Sequence, residues 1–198
     1  MRRWFGFLFR TLLFLAGFGA ALWTFMPWRE VGAAALALAS ERVERSGMRL
    51  SFSDVEPAEG GFSVNGLSLG GFMTLSCGAV TLRPQLMASL LNLAPVCEVT
   101  FRGGVMTMGQ PLDFGDGGFL LTASPNEILL ERLRANGDFS IQGFLTVDPA
   151  RMKIGRAEAA LRIPSSFEGN METLRGFLPL VREGNGNWFL RRGRSGGG

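Results

Sequence analysis

The chain opens on an apolar run and ends in short alternating segments. Thr11 to Trp28, TLLFLAGFGAALWTFMPW, holds 18 residues without a charge. Wound as a helix at about 1.5 Å per residue it spans about 27 Å, close to a hydrocarbon core of about 30 Å. From Arg29 to Ser46 the period is helical. Val31, Ala35, Leu38 and Val43 recur at helix spacing, Glu41 and Arg45 form an i,i+4 pair, and Gly47 suits a C′ position. After Gly47 the period falls to two. Met48, Leu50 and Phe52 alternate with Arg49, Ser51 and Ser53, as a half-buried strand does. Phe62 and Val64 keep one parity while Leu67 and Leu69 take the other, so the phase slips at Asn65-Gly66 through a bulge or a tight turn.

The alternation continues through Met73–Leu82 and stops at Arg83-Pro84, where Gln85–Leu91 suits a short helix. Pro95–Arg102 reads as strand, Gly103-Gly104 as a turn, and Val105–Met108, Leu112–Phe114 and Phe119–Thr122 as further short strands. Ser124-Pro125-Asn126 opens an expected helix over Glu127–Ala135, with Asn126 as N-cap. Phe139, Ile141, Leu145 and Val147 then alternate, followed by Ala157, Ala159, Leu161 and Ile163. Met171–Val181 suits a helix or a loop, and Gly184-Asn185-Gly186 a turn into Trp188-Phe189-Leu190. The expected fold is mainly β with a few short α-helices: an N-terminal transmembrane helix followed by a curved, mostly antiparallel sheet with one apolar face. The expected divisions are a basic N-terminus (1–10), the membrane helix (11–28), a juxtamembrane helix (29–47), the strand-rich domain (48–191) and a disordered tail (192–198).

Charge placement adds a topology. Arg2, Arg3 and Arg10 flank the apolar run on its N-terminal side, which puts that end in the cytoplasm and the domain across the membrane. A cleaved signal peptide is the competing reading, with small residues at Gly19, Ala20 and Ala21, but the apolar run exceeds a usual h-region of about 7–15 residues. Both readings export the domain. The net charge of +3 comes from the ends. Apart from Arg2, Arg3, Arg10, Arg191, Arg192 and Arg194, the chain carries 14 basic and 17 acidic residues, which argues against a nucleic-acid partner.

The chemistry-bearing residues are few. There is no His, and two cysteines alone complete no zinc or iron–sulfur site. No nucleophile elbow, phosphate loop or dinucleotide fingerprint occurs. No catalytic, cofactor-binding or metal-binding residue is therefore assigned, and the chain is not expected to be an enzyme. Asp113 and Asp116 sit in a Gly-rich stretch that reads as a solvated turn. Cys77 and Cys97 each share parity with apolar neighbours and bracket one strand–helix–strand unit. Two readings are open: a disulfide closing a loop of about 20 residues, stabilising by roughly 3 kcal/mol, or two buried free thiols.

Three segments, NGDFSIQGFLTVDP, GRAEAALRIP and LPLVREGNGNWFLRRG, resemble the C-terminal part of the type II secretion system protein N family, most clearly at Gly186, Trp188 and Arg191. The unit from Leu82-Arg83-Pro84 to Leu90-Leu91-Asn92, followed by VTFRGG, is similar to that family's middle. The N-terminal arrangement is also similar to AsmA-like envelope proteins. The resemblance implies an inner-membrane accessory component of a protein-export apparatus, with its main domain in the periplasm, other secretion-apparatus proteins as partners, and no cofactor. The alternative is a lipid-handling protein that carries acyl chains along an apolar sheet groove. Phe139, Ile141, Leu145, Val147, Leu161 and Ile163 are the candidate lining of such a groove, or of a sealed core.

Overall fold

The computed structural model describes residues 14, 17–19, 21–45, 47–71, 73–149, 153–176, 178–184 and 186–192. The basic N-terminus, much of the expected membrane helix and residues 193–198 of the expected tail lie outside them. Arg192, the first residue of that tail, ends a strand. Among the described residues no helix is long and apolar enough to cross a membrane.

Eleven antiparallel strands among the described residues form one sheet: β1 (Arg49–Ser51), β2 (Asp54–Ala58), β3 (Gly61–Gly70), β4 (Thr74–Pro84), β5 (Val96–Met108), β6 (Gln110–Ala123), β7 (Ile128–Asn136), β8 (Ser140–Asp148), β9 (Lys153–Arg162), β10 (Leu180–Gly184) and β11 (Asn187–Arg192). Residues 21–24 are helical, and beyond them the described residues form helices α1 (Trp28–Arg45), α2 (Leu86–Asn92) and α3 (Glu168–Arg175), with a 3₁₀ turn at Ser165–Phe167. Neighbours follow chain order from β3 to β9. At the end β11 lies between β9 and β10. β1 and β2 both pair with β3 in a continuing register, Ser51 opposite Ser68 and Asp54 opposite Asn65, so they form one interrupted edge strand.

One apolar rung runs from β3 to β11. Val64 pairs with Val80, Val80 with Phe101, Phe101 with Gly117, Gly117 with Ala135, Ala135 with Ile141, Ile141 with Leu161 and Leu161 with Trp188. Directly paired residues share a face, so these positions mark the apolar side. α1 covers it at one edge, where Trp28, Val55, Phe62 and Val64 are buried together. At the other edge Phe167 and Met171 pack over Leu161, Trp188 and Leu190. Trp188 is fully buried at the centre of the largest cluster.

The phase slip at Gly66 is a positive-φ residue, φ +61, inside an unbroken strand, and Leu67 returns to the apolar face beyond it. The same device recurs across β4 to β6, where the expected short strands are long and continuous. Gly103-Gly104 is a bulge within β5, with φ +59 at Gly103, and does not turn the chain. Bulges bend and twist a sheet, which is how so many strands curve without closing. The helix expected over Glu127–Ala135 is strand β7. Ser124 and Glu127 close a tight turn, the Ser124 N–H donating to the Glu127 carbonyl at 2.9 Å, and Ile128–Asn136 pairs on both sides. Leu, Glu, Arg and Ala favour helix locally, but ladders to β6 and β8 outweigh that preference.

Candidate functional site

On the opposite face the register builds two polar rungs. The first runs Ser63, Thr81, Thr100, Gly118, Arg134, Gln142, Ala160 and Phe189. The second holds Asn65, Ala79 and Arg102 on β3 to β5, and Asn136, Ser140, Arg162 and Asn187 on β7 to β11. Asp116 of β6 joins the two halves, its Oδ1 accepting the Gly103 N–H at 2.9 Å across the bulge. Residues of both rungs line a single cavity of about 1110 Å³ that reaches from β3 to β10. One face of strands so far apart can enclose one cavity only if the sheet curls with that face inside. The polar rungs therefore face the hollow of the curl, whose lining also takes in Phe101, Gly117, Ala135, Ile141 and Leu161 of the apolar rung.

The trough is cationic. Arg83, Arg102, Arg134 and Arg162 line it with Asp116 and Glu183. All four arginines are exposed. Among the described residues none of them forms an ion pair, whereas Arg156, Arg175 and Arg182 outside it do. Ser63 and Thr81 tie neighbouring strands on its floor, the Thr81 hydroxyl donating to Ser63 Oγ at 3.3 Å. A concave surface with free guanidinium forks and amide and hydroxyl groups suits an acidic or polar extended segment, because guanidinium groups bind carboxylates in a bidentate way.

Of the residues singled out from the sequence, Asp116, Ile141 and Leu161 line the cavity, and the others lie outside it. Leu161 and Ile163 are buried in the cluster beneath α3, and Phe139, Ile141 and Leu145 pack against it. Val147 is half-buried between Ile128 and Ile154 on the neighbouring strands. Cys77 and Cys97 both pack in the cluster around Val80 and Val99, and both are free thiols. Cys77 lies opposite Gly104 and Cys97 opposite Pro84, so seven positions of β5, about 23 Å, separate them along the ladder. A disulfide needs Cα atoms within about 7 Å, so this pairing cannot hold one. Parity also changes at Gly78: Cys77 faces the core while Ala79 lines the trough. Burial pushes the Cys77 thiol above its ordinary range. Cys97 is raised chiefly by burial, against a hydrogen bond from the Arg83 backbone and with help from the Glu98 charge. Asp113 and Asp116 act on the backbone, Asp113 Oδ1 accepting the Gly115 N–H at 2.6 Å. Among the described residues no group of three or more potential ligands is placed to hold a metal ion.

The trough's arginine, amide and hydroxyl residues escaped the sequence reading because each is an unremarkable polar position on its own strand. Only the register assembles them. Arg134 was hidden further, since it falls in the segment expected to be helical.

The chain matches the family described as Type II secretion system protein GspN-like, Synergistales, over residues 7–192. It belongs to that GspN-like family. No curated protein and no solved structure matches it. The matched region takes in the apolar N-terminal segment as well as the sheet, so the GspN-like unit is segment and sheet together. The match covers the stretches that carried the resemblance, in the middle of the chain as well as in its C-terminal third, and the protein is a component of the type II secretion family with a mainly β, curved, antiparallel domain.

Proposed function

We propose that this GspN-like protein is a non-catalytic, inner-membrane-anchored accessory component of the secretion apparatus, whose periplasmic sheet holds another apparatus protein in the arginine-bearing trough. The trough carries the reading: two polar rungs across the sheet that hold Arg102, Arg134 and Arg162, with Arg83 beside them, all without an ion pair among the described residues. Anchoring is supported by the uncharged run 11–28, by Arg2, Arg3 and Arg10 on its N-terminal flank, and by the exposed side chains of Phe14, Phe18, Leu22 and Phe25. Acyl-chain transfer along the sheet calls for an apolar concave face. Here the hollow is lined by arginine, amide and hydroxyl groups beside Phe101, Ala135, Ile141 and Leu161, and the apolar face packs beneath α1 and α3 at its two edges.

The test is purification of the tagged full-length chain from its native envelope in mild detergent, with analysis of both bound protein and bound lipid. Wild type should retain secretion-apparatus subunits without stoichiometric lipid, and the Arg102→Glu/Arg162→Glu variant should lose them. Stoichiometric phospholipid or lipopolysaccharide with no such subunits would overturn the proposal in favour of lipid handling.

A further inference from the structure

One set of apolar side chains belongs neither to the trough nor to the clusters. α2 has no buried residue. Leu90, Leu91 and Leu93 are 69%, 81% and 93% exposed, and Leu86 and Met87 are exposed beside them. The helix instead turns its serine inward. Ser89 Oγ donates to the Gln85 carbonyl at 2.7 Å and accepts the Val96 N–H at 2.9 Å, while the Ala94 N–H reaches the Ser89 carbonyl at 3.2 Å. A helix on a water-facing domain does the reverse, pointing its leucines at the core. Leu93 caps the helix in the left-handed region, φ +49, its N–H donating to the Leu90 carbonyl at 3.4 Å, and this cap leaves its side chain in solvent. From Pro84 to Cys97 the chain carries no charge.

The position of α2 says what covers it. β4 runs into α2 through Leu82 and Pro84, and Leu82 packs in the cluster of Trp28, Val55, Phe62 and Val64. Trp28 begins α1, and Trp23 meets it edge-on with ring centroids 4.6 Å apart. The uncharged N-terminal segment therefore reaches the sheet at the end from which α2 projects. Phe18, Leu22 and Phe25 of that segment are exposed, like the leucines of α2.

We propose that α2 inserts Leu90, Leu91 and Leu93 into the boundary between headgroups and acyl chains of the bilayer that the N-terminal segment enters. This rests on the anchoring reading above. Apolar side chains on a short uncharged surface element gain by entering that layer, and a seat pinned by Ser89 holds them out without further folding. Two contacts at one end of the sheet also fix its tilt, so that the strands stand away from the membrane.

The test uses the full-length chain in phospholipid vesicles, with an environment-sensitive fluorophore at Leu91→Cys or, as control, at Asp138→Cys in the turn at the other end of the sheet. Unsubstituted protein treated with the dye gives the background from Cys77 and Cys97, and circular dichroism confirms folding of both variants. Spin-labelled lipid should quench the Leu91 probe several-fold more than the Asp138 probe. Equal quenching at the two positions in carbonate-resistant, integrated protein would overturn this inference and leave the anchor standing. Failure to integrate would overturn the anchor reading, and quenching at Leu91 in such protein would still support the α2 contact. Copy-to-copy crosslinking through Leu91→Cys with no lipid quenching would mean that a second chain covers α2, and would overturn the proposal.

Discussion

At the scale of single residues, small groups set the shape of the sheet. Gly66 takes φ +61, and a methyl there would meet the Ser53 hydroxyl, which can move aside. Gly66→Ala should therefore cost about 1–2 kcal/mol, the left-handed penalty, in urea unfolding of the detergent-solubilised chain. Gly117→Ala should cost more, because its methyl would meet the Arg134 carbonyl of the paired strand and the Phe101 ring, and neither can yield without breaking the ladder. The cysteines give a second expectation at this scale. Denatured protein that has never met a reductant should take up two alkylating groups by mass, and a chain that takes up none would contradict the free thiols. Burial favours the protonated thiol, so folding binds those protons more tightly than the unfolded chain does. As pH rises above the ordinary thiol range the unfolded state ionises first, and stability falls until the folded thiols ionise as well. Cys77→Ala should show a shallower decline over that alkaline window in urea titrations at stepped pH.

At the scale of elements, what was legible in the sequence was local. The alternation around Met48–Phe52 and Phe139–Val147, the phase slip at Gly66 and the short helix after Pro84 all follow from neighbours a few residues apart. β7 was not legible, because ILLERLRAN carries helix-forming residues and its strand state is imposed by β6 and β8. The trough was not legible for a related reason: its lining comes from strands that meet only through register. Glycine pairs read as turns became bulges, since local sequence marks a positive φ but not whether pairing continues past it. α3 shows what a single element adds. It reaches the apolar face through Met171, and the 3₁₀ turn before it through Phe167, both almost fully buried. Glu168 ties this segment to the last hairpin, accepting from Arg182 Nη2 at 2.6 Å and from the Gly186 N–H at 2.9 Å. Phe167→Ala should thus cost about 3–5 kcal/mol in urea unfolding, by lost transfer energy and the cavity left beneath the turn. A cost under about 1 kcal/mol would mean that the C-terminal hairpin holds without this cover.

At the scale of the whole molecule, the two faces of the sheet separate folding from binding. The apolar rung and its helices hold the fold, whereas the trough arginines are exposed and contribute no ion pair among the described residues. Both sheet edges are poor docking sites for another strand. β2 carries Asp54, Glu56 and Pro57, β1 on the same edge is cut off from it by the interruption at 52–53, and β10 is short and bears Arg182 and Glu183. A partner is thereby directed to the concave face. Alanine at Arg102, Arg134 and Arg162 should shift stability by no more than about 0.5 kcal/mol each in urea unfolding, because surface side chains without buried partners rarely do more. The same variants should lose capture of secretion-apparatus subunits, and capture by wild type should weaken as salt rises, since exposed charges are screened within about 10 Å at 0.1 M. If the alanine variants unfold instead, the arginines support the curl of the sheet and the trough is a by-product of curvature. If they fold and still capture the subunits at high salt, the partner binds on another surface.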